Sequence, residues 1–138
     1  MARILIQTIF LSALLFLGAC QAETVYTGQS LLGSWGGQSI ALKIDGKIGV
    51  LEYDCAAGSI NGPIVLDSAG NFKARGTHTP GMGGPAIQGQ EPQALPADYW
   101  GRVSRDTLTL NVHVPSLSLT LGPFTLRQNA EARLFRCL

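Results

Sequence analysis

The chain has 138 residues and carries ten Lys and Arg against nine Asp and Glu, a formal charge of +1. A nucleic-acid binder needs a basic surface that displaces counterions, so this balance excludes one. No internal repeat and no heptad pattern runs through it, which excludes solenoids and coiled coils.

The first element in chain order is an export signal. Arg3 precedes an apolar run from Ile4 to Leu17, interrupted only by Gln7, Thr8 and Ser12 and followed by the small residues Gly18 and Ala19. These are the charged, apolar and cleavage regions of a signal peptide. The run falls short of the ~20 apolar residues that span a bilayer, so residues 1–19 are read as a signal and not as a permanent anchor. Leu17-Gly18-Ala19-Cys20 resembles a bacterial lipobox. The resemblance implies that the Cys20 thiol receives a diacylglyceryl group and that its freed amine takes a further acyl chain such as palmitate. Two or three chains, at about 0.8 kcal/mol per buried CH₂, anchor a protein stably. The alternative is cleavage after Ala22, leaving a soluble periplasmic or secreted protein. Gln21 stands where an aspartate would signal inner-membrane retention. By similarity to proteobacterial lipoproteins, that implies the outer membrane, facing the periplasm.

An exported chain with three cysteines must account for the odd one. Lipid on Cys20 leaves Cys55 and Cys137 as one pair, and an oxidising compartment makes a disulfide their default state. Closing a loop of about 80 residues would stabilise the fold by roughly 4 to 4.5 kcal/mol. Zinc is not expected, because there is neither a Cys-x-x-Cys nor a nearby histidine pair. No other metal or cofactor is expected either. Removing the signal leaves about 119 residues, enough for one domain and too few for two. Arg3 leaves with it, so the mature chain is formally neutral.

Residues 20–30 are read as the lipidated N-terminus and its tether, and 31–138 as the folded domain. Ile40, Leu42 and Ile44 alternate up to the turn signal Asp45-Gly46, which leads into Ile48 to Cys55. Ile60 to Leu66 is the next apolar run and ends at Asp67-Ser68-Ala69-Gly70; Phe72 to His78 follows as a short strand. Gly76 to Ala97, with Pro80, Pro85, Pro92 and Pro96, is expected to be a long loop. Tyr99 to Ser104 leads through Arg105-Asp106 into Thr107 to Val114. There Leu108, Leu110, Val112 and Val114 take one face of a half-buried strand. Leu117, Leu119 and Leu121 repeat the alternation, Gly122-Pro123 marks a bulge or bend, and Phe124 to Arg127 continues. Ala132 to Cys137 is expected to be the last strand.

Seven or eight short strands without intervening helices imply an all-β fold, an antiparallel up-and-down barrel or, alternatively, a β-sandwich. Gly33-Ser34-Trp35 resembles the Gly-x-Trp of the calycins, the lipocalin and avidin group. That resemblance implies a barrel with Trp35 plugging one end and Arg133 or Arg136 of the last strand packing over it. Trp35 lies an odd number of residues from Ile40, so a bulge at Gly36-Gly37 is expected if both face inward. The spaced segments Gly-Ser-Trp-Gly-Gly, Glu-Tyr-Asp-Cys-Ala-Ala-Gly, Tyr-Trp-Gly-Arg-Val and Arg-Leu-Phe-Arg-Cys-Leu are similar to a group of short exported bacterial proteins. No transferable activity comes with that similarity.

No catalytic constellation can be named, so the chain is not expected to be an enzyme. Glu52 and Asp54 are two apart on one strand and would share a face roughly 7 Å apart, which usually means a wet face. Gly58-Ser59-Ile60-Asn61-Gly62 lacks the spacing of a nucleophile elbow. His78 and Met82 are two soft donors, too few for a copper site. Tyr99 and Trp100 are adjacent, so one of them faces outward. The first functional expectation is therefore a non-enzymatic barrel binding a small apolar ligand. Leu108, Leu110 and Val112 would line its cavity, with Trp35 at one end and Trp100 as a further candidate contact. The alternative is an interaction protein, such as an inhibitor of a periplasmic hydrolase or an envelope scaffold, using the 76–97 loop.

Overall fold

A computed structural model describes residues 24–81 and 88–137. Cys20 and Met82 lie outside these. Eight antiparallel strands run in chain order around one closed barrel. They are β1 (Gly33–Gly37), β2 (Ile40–Ile44), β3 (Ile48–Tyr53), β4 (Ala56–Asn61), β5 (Asn71–Pro80), β6 (Leu95–Ser104), β7 (Thr107–Val114) and β8 (Leu119–Gln128). Closure comes from β1 pairing with β8, with Trp35 opposite Gln128 and Gly37 opposite Leu126. Closing the sheet abolishes the free edges that an open sheet this size would expose.

The strand pattern follows from period-two alternation. Along β7 the inward residues Leu108, Leu110, Val112 and Val114 are all fully buried, and the outward ones are partly exposed. At Gly122-Pro123 β8 carries one residue more than β7, because Leu110 faces Phe124 while Val112 faces Leu121. This bulge switches the inward parity from Leu119 and Leu121 to Phe124 and Leu126. Apolar side chains thus stay inside on both halves of the strand.

Trp35 and Ile40 are both buried, but no bulge at Gly36-Gly37 produces this. Gln38 and Ser39 form a two-residue turn with Ser39 at φ 67°, which sets Gly37 opposite Ile40 and Trp35 opposite Leu42. Cross-strand partners share a face, so the turn itself supplies the odd offset.

The remaining corrections concern boundaries. β3 stops at Tyr53 because Asp54 and Cys55 make the next two-residue turn, with Cys55 at φ 63°. The run Ile60 to Leu66 breaks at Asn61-Gly62-Pro63, and Ile64 and Leu66 cap the barrel end from a loop. Leu117 sits in the 3-10 turn Pro115–Leu117 and is exposed. The expected loop 76–97 loses both ends to strands, since Gly76 to Pro80 pairs with β4 and Leu95 to Ala97 pairs with β5.

Ala132 to Cys137 is not the last strand. It is a strap across the rim formed by the β1–β2 and β3–β4 turns, held by a single parallel bridge between Gln38 and Arg133. The Arg133 N–H donates to the Gly37 carbonyl at 3.0 Å, the Ser39 N–H donates to the Arg133 carbonyl at 2.8 Å, and the Phe135 N–H donates to Asp54 Oδ1 at 2.6 Å. The Cys55–Cys137 disulfide closes the strap, with the two Cα atoms 5.2 Å apart. Arg133 and Arg136 are both exposed and lie on this strap, not on the last strand of the barrel. The Trp35 indole N–H donates instead to the Leu32 carbonyl at 3.1 Å.

The opposite end is covered by a plate of two chain segments. The Leu31 N–H donates to the Ile64 carbonyl, the Leu66 N–H to the Gln29 carbonyl and the Gly28 N–H to the Leu66 carbonyl, and Ser30 bridges Val65. Leu31, Ile64 and Leu66 point inward and are buried. Tyr26 packs against the core, and its hydroxyl accepts a hydrogen bond from the Arg105 N–H at 2.8 Å. From Tyr26 onward, the segment read as a tether is therefore fastened to the barrel.

Candidate functional site

Leu108, Leu110 and Val112, read as lining a ligand cavity, belong to one contiguous apolar core that also holds Trp35, Leu42, Leu51, Ile60 and Leu126. Clefts among the described residues open on the outer wall and the rims. None of them is lined by Leu108, Leu110, Val112 or Trp35.

Polar groups enter this interior at the strap end. Tyr53 and His78 face inward with ring centroids 5.6 Å apart, and the Phe124 ring lies 5.8 Å from that of Tyr53. The Tyr99 hydroxyl donates to the Thr77 carbonyl at 2.6 Å. Gly58 makes room for that hydroxyl, since a Cβ there would collide with it. Tyr53 Oη and His78 Nδ1 are buried without a hydrogen-bond partner among the described residues. Burial holds both tyrosine phenols above their ordinary pKa, with the Tyr99 hydroxyl adding to the effect on Tyr53.

Burial also pushes the His78 pKa below its ordinary 6.5. His78 thus folds as neutral imidazole, inside the barrel and not on a loop. The unfolded chain takes up its proton first as the pH falls through about 6.5. Stability should accordingly be full above that pH, decline as the solution is acidified below it, and level off at the folded pKa. Thermal melts between pH 8 and 5 should show this decline above the carboxylate range, and His78→Phe should flatten it. An unchanged profile in that variant would remove His78 as its source.

The outer wall is chemically different. Tyr99 points in and is 1% exposed, so Trp100 points out, half-buried. The register of three strands sets it at the centre of a three-by-three array. Lys73 and Asn111 flank it across β5 and β7; Asn71, Arg102 and Thr109 form the row on one side, and Arg75, Asp98 and His113 the row on the other. Grooves of about 610 and 640 Å³ run along either side of Trp100 and share Lys73 as a wall. Arg102 Nε donates to the Ala69 carbonyl at 3.1 Å, and His113 Nδ1 lies 3.0 Å from Thr120 Oγ1. Lys73 and Arg75 have no ion-pair partner among the described residues, where Arg127–Asp106 is the one ion pair. The array rings one large aromatic with the cations Lys73, Arg75 and Arg102, two amides, one hydroxyl, the Asp98 carboxylate and the His113 imidazole. Trp100 was recognisable from its adjacency to Tyr99; its eight neighbours were not.

Glu52 is exposed on β3, and Asp54 lies beyond the strand end, where its carboxylate holds the strap. The structure does not assemble them into a facing pair. Among the described residues no group of three or more His, Cys, Asp or Glu is placed to hold a metal ion. No family model matches the chain, and neither a curated protein nor a solved structure matches it.

Proposed function

We propose that this chain is a lipid-anchored envelope protein whose barrel has no catalytic role and acts by binding another envelope macromolecule through the wall centred on Trp100. The anchor rests on the lipobox-like Leu17-Gly18-Ala19-Cys20, and Gln21 favours the outer membrane. The Cys55–Cys137 disulfide suits the oxidising periplasm that such an anchor implies.

The observation that carries the binding role is the Trp100 array. Protein interfaces concentrate their energy in a few aromatic and arginine side chains surrounded by a polar rim. Trp100 with Arg75, Arg102 and Lys73 has that composition on a rigid sheet, where little ordering entropy is lost on binding. A periplasmic hydrolase held inactive by this wall and a scaffold partner are both compatible with it. An apolar ligand within the barrel is the less favoured reading, because the side chains that would line its cavity are fully buried in the contiguous core.

A photo-crosslinking residue at position 73 or 111 should give a discrete adduct in intact envelopes, and one at position 52, exposed on β3 away from this wall, should not. Trp100→Ala should abolish the adduct by weakening binding about 30-fold or more, as loss of a central anchor does. Equal adducts at positions 52 and 73, or adducts that survive Trp100→Ala, would refute this assignment.

A further inference from the structure

Seven large apolar side chains are exposed among the described residues, and five of them gather at one end of the barrel. Val25 and Leu32 come from the N-terminal segment, Val65 from the plate that pairs with it, and Ile48 and Val50 from the start of β3. They are between 40 and 69% exposed. The plate explains the pattern: its inward residues Leu31, Ile64 and Leu66 close the barrel, so by alternation Leu32 and Val65 must face away from it. A soluble barrel would be expected to place polar residues there, as it does on the outer wall of β7.

The same end is where the chain leaves toward Cys20. Tyr26 is the first residue fixed to the barrel, and six residues reach at most about 21 Å when fully extended. A lipid on Cys20 would therefore hold this end within that distance of the bilayer surface. So short a link also gives the end a high effective concentration at the membrane. Lys43, Lys47 and Arg105 lie around it, against Asp45, Asp67 and Asp106. Long cationic side chains at such a boundary can place their stems in the interface and their charges among headgroups.

We infer that the barrel docks end-on against the lipid surface that anchors it. Val25, Leu32, Ile48 and Val65 meet the headgroup region, and the strap end points away from the membrane. This docking rests on acylation of Cys20, which the same sample can check.

The test uses the acylated full-length mature protein in vesicles of phosphatidylethanolamine and phosphatidylglycerol containing lipids brominated near the headgroup end of their chains. In a Trp100→Phe background, Val65→Trp should lose at least twice the fluorescence that Leu117→Trp loses, with Trp35 as a constant background in both. Hydrogen exchange on the unsubstituted protein gives the same answer without a variant: residues 62–70 should slow several-fold when vesicles are added, and residues 115–118 should not. Equal quenching and unchanged exchange, with lipid mass present on the N-terminal peptide, would overturn end-on docking and leave the anchor standing. Absence of that mass, with protein that fails to float with vesicles, would overturn both. Slowing of residues 62–70 without vesicles, increasing with protein concentration, would assign this end to a second copy of the chain and overturn the docking.

Discussion

Replacing Cys55 and Cys137 with serine is expected to lower the unfolding free energy by about 4.5 kcal/mol, the largest loss foreseen for any single covalent change. The two cysteines are 82 positions apart, and on the chain-entropy model a loop of that size restricts the unfolded ensemble by this amount. For a domain of this length such a loss corresponds to a fall in Tm of roughly 15 °C. The strap supplies little that could compensate. Apart from the disulfide it is held by a few hydrogen bonds at the rim, and its Phe135 is 65% exposed. Melts of the oxidised protein and of the double serine variant measure the difference directly. A fall of less than about 5 °C would mean that the unfolded chain is already compact without the link.

The second large effect is Leu110→Ala. Leu110 is fully buried at the middle of β7, opposite Gly101 and Phe124. In a close-packed core its truncation removes the transfer energy of the lost atoms and leaves a cavity the neighbours fill incompletely, so a loss of about 3 to 4 kcal/mol is expected. Denaturant titration measures it as a shift of the midpoint at constant slope. The value bears on function as well as stability. A loss under about 2 kcal/mol would point to space already present beside Leu110 and revive the reading in which an apolar molecule occupies the barrel.

Much of the barrel was legible because one face of each strand is buried, which forces alternation. Leu108 to Val114 announces its inward face by position alone, and Gly122-Pro123 announces the bulge that resets it. What failed to read was pairing. Ala132 to Cys137 looks like a strand, but Gln128 already closes the barrel against Trp35 and leaves no edge for another. Gly76 to Pro80 falls within the expected loop because Gly and Pro have poor strand preference, yet β4 holds it extended along its whole length and β6 pairs with it as far as His78. Trp35 and Ile40 have the wrong parity for one strand and the right parity for a hairpin, a distinction that depends on Ser39 adopting positive φ.

The candidate site was less legible for the same reason. That Trp100 faces away from Tyr99 follows from a two-residue period, but Lys73 and Arg75 reach it across residues 81–94, whose length fixes no register. Asn111 joins from a third strand. The charged ring around the tryptophan is thus a product of pairing between elements and has no local signature.

The strap has a mechanical meaning too. By joining Cys137 back to Cys55 it makes a covalent ring containing β4 to β8, and only β1 to β3 lie on the thread between the N-terminal end and that ring. Tension applied from the last residues would enter at the β3–β4 turn and could not peel β8 from the wall. If the barrel yielded, only residues 24–55 could pay out, roughly 110 Å of chain against about 400 Å without the link. A partner pulling on the far end would therefore meet a short leash whose knot, the part carrying the Trp100 wall, stays closed.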